Sequence, residues 1–357
     1  MKKTIALLLA MVMVLGLCAC GAKPAEAPAQ APAEAPAQAP AEAPAAAPAD
    51  DYHLELKLSH VFGPTEQLAV SVQEAADNIR EKTNGAIDIQ CYPNSQLPTY
   101  KDGLEQVASG ANFISVEDPS YIGDYVPNFN ALVGPMMTSS LAEYDYLLGS
   151  DLVQGWIKEL EDYNIKVLSL DYFFGYRFMK TNKEIYTPDD LKGMKIRTPK
   201  SEMYVNTLNA MGANAIPMGW DETLSAVSQG VVDGLEGTMS DFRYDGSGDV
   251  AKVGSLTNHL IGVCGVYIGL DVWNAIPAEY QTIIQDEFNA SAQRMCEKIE
   301  SEYIADKEYC ETELGITFNE VDMDAFAANF GDVYAAMKGT TPGIYDTLKG
   351  MLAEMPK

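Results

Sequence analysis

Two arginines that lie close together in the sequence offer the clearest chemistry of this chain. Arg177 and Arg197 each fall in a short run of residues typical of a β-strand. Between them, Thr187 can cap a helical turn that begins at Pro188, and such a turn would let the two strands lie side by side. Two guanidinium groups pointing from neighbouring strands into one cleft would hold a carboxylate through paired hydrogen bonds. The stretch predicts an anion-binding clamp; the alternative is two surface salt bridges.

The segment before the arginines predicts an α/β sheet that would form one wall of this cleft. Its predicted elements are strands at 54–60, 86–92 and 112–117 and helices at 65–83 and 100–109. Alternation of strand and helix implies parallel strand pairing, and ligands of such sheets bind at the carboxyl ends of the strands.

Five motifs follow one another along the middle of the chain. They are Gly175–Arg177, Thr187–Pro199, Met211–Met218, Gln229–Glu236 and Leu256–His259. In order and spacing they resemble the substrate-binding proteins of TRAP transporters, the DctP family, and weaker similarity extends from about residue 56 to the C-terminus. The resemblance implies a two-lobed, periplasmic-binding-protein-like α/β fold with hinge strands and a long helix spanning both lobes. It also implies a binding protein without enzymatic activity or a cofactor.

The same resemblance implies which side chains contact the substrate. Arg197 would make the main carboxylate salt bridge and Arg177 would assist it. Trp220 would cover the apolar part of the substrate, with core packing as the alternative. At Gly237 the family commonly carries an asparagine that contacts the substrate, so this chain lacks an amide donor there.

Two further polar residues are candidates for the site. In some family members a carboxylate at the position of Glu117 contacts polar groups of the substrate. Because a carboxylate would repel a bound anion, this role implies hydroxyl or amine groups on the ligand. The alternatives are a solvated carboxylate for Glu117 and a structural hydrogen-bonding role for His60, which ends the first predicted strand.

The N-terminus predicts an exported lipoprotein. Two lysines precede an apolar run at 5–17 that is too short to span a bilayer, as in a secretory signal. Residues 17–20 resemble a bacterial lipobox in which Cys20 receives the lipid, and the alternative is an ordinary cleaved signal. We therefore expect a lipoprotein signal peptide over 1–20 and a proline- and alanine-rich tether over 21–50, where proline at every fourth residue forbids a continuous helix.

The composition excludes some partners. A formal net charge of −27 argues against nucleic acid and against anionic lipid surfaces, since both require a positive face. With three histidines in the chain and no Cys-x-x-Cys spacing among the cysteines beyond the signal peptide, the sequence predicts no metal site. For the cysteines beyond the signal peptide, a bond between Cys91 and Cys264 and four reduced thiols both remain open. Cys296 and Cys310 are expected to lie too far apart on one helix to bond.

The predicted domain organisation follows the two-lobed resemblance. Lobe I would comprise 51–174 and lobe II 175–261, followed by a return strand and the first part of a spanning helix over 262–300, and by the end of that helix and a C-terminal lobe II segment over 301–357. The helix is predicted from Pro277 to Gly315, and at about 1.5 Å per residue it would be roughly 50 Å long.

These observations favour a lipid-anchored extracytoplasmic receptor that delivers a small organic acid to TRAP membrane subunits. An ABC importer or a sensor kinase is the alternative partner. A tethered hydrolase or lyase is the alternative class, although the sequence has neither a Gly-x-Ser-x-Gly nor a His-Glu-x-x-His motif. Since both arginines would serve one end of the ligand, a monocarboxylate with hydroxyl or keto groups, such as a sugar acid or a 2-oxo acid, is favoured over succinate.

Overall fold

The computed structural model describes residues 52–356, whose strands form one mixed sheet. The strands are β1 (Leu54–Ser59), β2 (Ile87–Tyr92), β3 (Phe113–Glu117), β4 (Ile165–Thr181), β5 (Lys195–Thr198), β6 (Asn214–Pro217), β7 (Gly234–Gly237), β8 (Val253–Gly269) and β9 (Thr317–Asn319). Their order across the sheet is β2-β1-β3-β8-β4-β7-β5-β6, with β9 added beside β8. The α/β fold predicted from the sequence is thus confirmed, with a sheet that contains both parallel and antiparallel pairs.

The helices lie between most of the strands along the chain. They are α1 (Gln67–Lys82), α2 (Tyr100–Ala108), α3 (Pro119–Ile122), α4 (Phe129–Leu132), α5 (Leu141–Leu148), α6 (Asp151–Glu159), α7 (Glu202–Ala210), α8 (Trp220–Ser228), α9 (Met239–Tyr244), α10 (Ser247–Val250), α11 (Leu270–Ala275), α12 (Ala278–Thr312), α13 (Met323–Ala327), α14 (Phe330–Ala336) and α15 (Ile344–Ala353). Short 3-10 turns lie at Leu160–Tyr163 and Pro188–Leu191. Within residues 52–356, no helix is both long and apolar enough to cross a membrane.

The first lobe is the half of the sheet that contains β1, β2 and β3. β1 pairs in parallel with both β2 and β3, as the alternation of strands and helices predicted. Alternate residues of β1, including Leu56 and Leu58, are fully buried against the surrounding helices. The three strands therefore end at the same edge of the sheet, and β3 ends there with Glu117.

β4 and β8 are the hinge strands that connect the two lobes. Both are 17 residues long, and they pair with each other in an antiparallel manner along most of their length. One end of β8 pairs with β3 of the first lobe, whereas the far end of β4 pairs with β7. Near their middle, Gly175 faces Gly262 at an irregularity, and Gly175 has a φ of +113°, which side-chain-bearing residues rarely adopt.

The second lobe is the half that contains β5, β6 and β7. The prediction that the strands of Arg177 and Arg197 lie side by side is wrong, because β7 lies between β4 and β5. β7 pairs in parallel with β5 and antiparallel with β4. It therefore separates the two strands that the connecting turn was expected to bring together. This insertion brings a third charged side chain, Glu236, between the two arginines.

The long helix predicted after Pro277 is present as α12, with 35 residues. It packs against α1, where Ser291 Oγ donates to the carbonyl of Ser71 at 2.7 Å. Farther along, Asp306 accepts a hydrogen bond from Arg243 of α9 at 2.5 Å. The helix thus contacts both lobes and spans the hinge between them.

The remaining sequence predictions on this part of the chain have mixed outcomes. β8 begins at Val253, earlier than the predicted Gly262, because the polar residues 257–259 lie inside the sheet. Cys91, Cys264, Cys296 and Cys310 are all free thiols. The domain boundaries at 174, 261 and 300 stay predictions. The signal peptide, the tether and Cys20 lie outside the described residues.

Candidate functional site

A cavity of about 70 Å³ lies between the lobes, beside the hinge strands. Since a water molecule needs about 10–15 Å³ in the same measure, the space suits a small solute. Both lobes and the hinge supply its lining, which consists of Val61, Phe62, Glu66, Tyr100, Glu117, Asp118, Tyr121, Phe174, Arg177, Arg197, Pro199, Tyr204, Trp220, Glu236, Asp241 and Cys264. Aromatic rings and charged groups therefore surround one small space.

Arg197, on β5, brings a positive charge into the cavity without a carboxylate partner. Its side chain is 2% exposed, and one terminal nitrogen donates to the carbonyl of Met218 at 2.9 Å. The Nε–H finds no acceptor in the described part of the chain. The guanidinium carbon lies 5.4 Å from the ring centre of Trp220. Burial lowers the pKa of Arg197, so its charged form lacks compensation that a bound anion would supply.

Arg177, on β4, differs from Arg197 because it is already paired. Its Nε and one terminal nitrogen donate to the two carboxylate oxygens of Glu236 at 2.5 and 2.9 Å. Both side chains are almost fully buried. Burial acts to lower the pKa of Arg177, but the charge of Glu236 outweighs it and raises that pKa well above its usual range. The bidentate geometry expected for the ligand is thus occupied by an internal carboxylate.

Glu117 lies at the end of β3, where its carboxyl group is 2% exposed. One of its oxygens accepts a hydrogen bond from the backbone N–H of Tyr100 at 2.5 Å. Tyr100 has a φ of +57°, a strained conformation for a tyrosine, which directs this N–H toward Glu117. Burial raises the pKa of Glu117 to about 8. The solvated alternative is therefore excluded, and Glu117 is a neutral acid at pH 7 that can donate and accept hydrogen bonds.

Two hydrogen bonds join the lobes around the cavity. The hydroxyl of Tyr204 on α7 donates to Asp118 Oδ2 at 2.7 Å. The backbone N–H of Trp220, at the start of α8, donates to the hydroxyl of Tyr100 at 2.9 Å. Both bonds connect residues from opposite sides of the hinge, so the structure represents a closed arrangement of the lobes.

The other predicted site residues lie at different distances from the cavity. Trp220 lines it, with its ring beside Arg197. His60 is buried and lies outside the lining, next to α1, while the following residues Val61 and Phe62 reach the cavity. Gly237 also lies outside the lining, and a Cβ there would come within 2.9 Å of both Lys180 Nζ and Asp241 Oδ2.

Sequence reasoning missed several residues of the lining. Tyr121 has a buried hydroxyl without a partner in the described part of the chain, and it lies in α3, the short helix after β3. Glu66 and Asp241 approach the cavity from opposite lobes. Glu236 belongs to a motif used for the family resemblance, yet only its three-dimensional position reveals the pairing with Arg177. Among residues 52–356, no group of three metal-ligating side chains could hold a metal ion.

The hinge strands, the two lobes and the enclosed cavity define a solute-binding protein. The family model described as "Bacterial extracellular solute-binding protein, family 7" (DctP) matches residues 58–340, and the chain belongs to this family. The family consists of extracytoplasmic binding proteins, and its compared members are binding proteins rather than enzymes. The predicted family and the predicted absence of an enzymatic role are confirmed.

Solved structures of TRAP periplasmic solute-binding proteins support this assignment. One from Desulfovibrio salexigens, in complex with diglycerolphosphate, is 53% identical with a TM-score of 0.83 and covers 85% of this chain and 98% of its own. One from Fusobacterium nucleatum with bound sn-glycerol-3-phosphate is 38% identical, with a TM-score of 0.83 and coverage of 84% and 97%. One from Actinobacillus succinogenes with L-galactonate is 30% identical, with a TM-score of 0.80 and coverage of 84% and 100%.

Proposed function

We propose that this protein is a lipid-anchored extracytoplasmic receptor that captures a small hydroxylated organic anion and delivers it to a TRAP-type membrane transporter. The observation that carries the proposal is the guanidinium of Arg197, which is buried in the cavity with an unsatisfied N–H and no carboxylate partner. An unsatisfied buried donor costs about 1–3 kcal/mol, and more when it is charged. A bound anion would recover this free energy, whereas a neutral solute would recover only part of it.

The remaining lining suits hydroxyl groups. The acid of Glu117 and the unpartnered hydroxyl of Tyr121 offer donors and acceptors, and Trp220 and Phe174 offer apolar faces for a carbon chain. The ligands bound by the three related structures share this chemistry, since each is an acid with several hydroxyl groups. We extend this class, not any one of these compounds, to the present chain.

Two kinds of acid group are candidates for the ligand. A carboxylate, as in a sugar acid, agrees with the sequence-based expectation and with the L-galactonate relative. A phosphate ester is favoured by the relatives of 53% and 38% identity, which hold diglycerolphosphate and sn-glycerol-3-phosphate. A guanidinium binds either group through paired hydrogen bonds, so Arg197 is compatible with both.

A thermal-shift panel tests the proposed function. Protein freed of co-purified solute is mixed with diglycerolphosphate, sn-glycerol-3-phosphate, galactonate, a 2-oxo acid and succinate, with glycerol and galactose as uncharged controls. We expect at least one hydroxylated anion to raise the melting temperature, because a ligand at about 100 times its Kd stabilises the folded state by about 2.7 kcal/mol. A rise in melting temperature with the uncharged compounds alone would contradict the proposal that the ligand is an anion.

The lipid anchor makes a separate prediction. Cys20→Ala should release the folded protein from the membrane fraction, because the proline-rich tether keeps this residue remote from the folded part. Membrane fractionation checks the location, and a thermal melt of the released protein checks that it is folded. Cys18→Ala is the matched control and should stay at the membrane. Retention of the Cys20→Ala variant would contradict the lipobox interpretation.

The membrane partner is the part of the proposal that rests on the family alone. An ABC importer or a sensor kinase would use the same closed, liganded receptor. Reconstitution with TRAP membrane subunits in vesicles distinguishes these partners, since uptake of the solute should require both the receptor and those subunits.

A further inference from the structure

We propose that the cavity selects ligands with a single negative charge and rejects dianions, a property that rests on the proposed function of anion capture. The charged side chains of the cavity support this inference. Two guanidinium groups, Arg177 and Arg197, face five carboxyl groups. The positive charge available to a ligand therefore depends on which arginine already forms an ion pair with a carboxylate of the protein.

The charge of Arg177 is already balanced by Glu236. The two side chains share a bidentate pair, with Glu236 1% exposed. His259 lies 3.9 Å from the same carboxylate, and burial lowers its pKa to about 4, so it is neutral at pH 7. The pair presents almost no net charge to the cavity, and a ligand that competed for Arg177 would leave Glu236 buried without a partner.

Arg197 supplies the uncompensated positive charge. Its guanidinium contacts the carbonyl of Met218 and the ring of Trp220, and neither of them carries a negative charge. No carboxylate of the described residues lies within ion-pair distance of its guanidinium. One charge of the ligand can thus be neutralised at this point, and a second would have to be placed elsewhere in the cavity.

Elsewhere the cavity offers carboxyl groups. Burial raises the pKa of Asp118, and the hydrogen bonds that it accepts from the hydroxyl of Tyr204 and the N–H of Ser120 oppose this rise. Asp241 accepts from the backbone N–H of Thr238 at 2.8 Å. A second negative charge on the ligand would face these carboxylates in a space sheltered from water, where like charges repel strongly.

Glu66 and Glu117 complete the lining, and burial favours the neutral form of each carboxyl group. Glu66 is 6% exposed, and burial together with the charges of Asp241 and Asp245 raises its pKa well above the usual range. Burial likewise raises the pKa of Glu117 to about 8. A neutral acid hydrogen-bonds a hydroxyl or an acidic oxygen without adding charge, so these two groups tolerate a monoanion.

A further cation, Lys180, does not change this balance of charge. Lys180 is fully buried behind Gly237, and its Nζ lies 3.7 Å from Asp245 Oδ2 and 3.3 Å from Ser247 Oγ. It does not belong to the lining of the cavity. The carboxylate of Asp245 therefore neutralises the charge of Lys180, which is not available to a ligand.

Matched ligand pairs test the inference by isothermal titration. In the first pair, sn-glycerol-3-phosphate is the dianion and its methyl phosphodiester is the monoanion. In the second pair, galactonate is the monoanion and galactarate, in which a carboxylate replaces the terminal CH2OH, is the dianion. A phosphate monoester has a second pKa near 6, so only about 3% of it is monoanionic at pH 7.5. If only that form binds, its apparent affinity should rise about 20-fold to 30-fold between pH 7.5 and 5.5. At pH 7.5 the monoanion of each pair should bind at least about tenfold more tightly.

Glu117→Gln provides a second readout. The groups that face Glu117 are Tyr100, Tyr121, Asp118, Cys264 and Tyr267; burial raises the pKa of each, and the tyrosines and the cysteine stay neutral near pH 8. The wild-type affinity for the methyl ester should fall about tenfold between pH 7 and 9, as Glu117 ionises. The amide variant should lack this decrease.

Each outcome decides the matter. Equal or tighter binding of the dianion in both pairs at pH 7.5 would overturn the charge selection and leave anion capture intact. Failure of every anion in the thermal-shift panel would refute both proposals. If Glu117→Gln does not fold, the wild-type comparison of the ligand pairs still gives the answer.

Discussion

Replacing Arg197 with methionine should weaken ligand binding at least about 30-fold while leaving the empty protein at least as stable as the wild type. The guanidinium is buried, its Nε–H is unsatisfied, and burial lowers its pKa, so the charge is a cost to the ligand-free fold. Methionine has a similar length and no charge. Loss of a buried, hydrogen-bonded charge pair with the ligand should weaken binding by about 2–5 kcal/mol, which is from about 30-fold to several thousand-fold.

Titration calorimetry and urea unfolding of the same variant separate the two effects. Arg197→Lys should also bind weakly, because an ammonium group cannot make the paired hydrogen bonds of a guanidinium. Arg80→Met is the matched control, since Arg80 is exposed on α1 far from the cavity lining and should bind as the wild type does. If Arg197→Lys binds the ligand as tightly as the wild type does, paired hydrogen bonds from the guanidinium are not needed for binding.

The strands of the first lobe and the long helix α12 were predictable because their signals are local. The alternation of apolar residues in β1 and the helical spacing in α12 depend on neighbours within a few residues, and both elements appear close to their predicted bounds. Glu117 was placed at the end of β3 for the same reason. Its neutral form was not predictable, since burial by Tyr100 and the surrounding helices arises only in the folded chain.

The arrangement of the second lobe depends on long-range pairing. The pair of arginines was recognised as an anion clamp, but β7 lies between their strands and carries Glu236 to Arg177 from 59 residues away. No local pattern encodes which strand enters a sheet between two others. The sequence therefore suggested that both arginines bind the ligand, whereas the structure distinguishes one paired guanidinium from one that is free to bind.

The same distinction leads to the opposite expectation for Arg177. Arg177→Met should lower the free energy of unfolding by about 3–5 kcal/mol, because it leaves the carboxylate of Glu236 buried without a cation. The earlier expectation that Arg177 chiefly assists the ligand predicts a small effect on the empty protein. Urea unfolding of ligand-free protein measures the difference between these two roles.

A double-mutant cycle identifies the cause of that loss. Arg177→Met combined with Glu236→Leu replaces the ion pair by apolar groups of similar size, and the double variant should recover most of the stability lost by either single change. A coupling energy near zero would show that Arg177 and Glu236 act independently, and Arg177 would then return to the list of groups that bind the ligand directly. A large coupling energy would show that Arg177 has a structural role as the partner of Glu236. Arg197 would then be the cation that binds the solute.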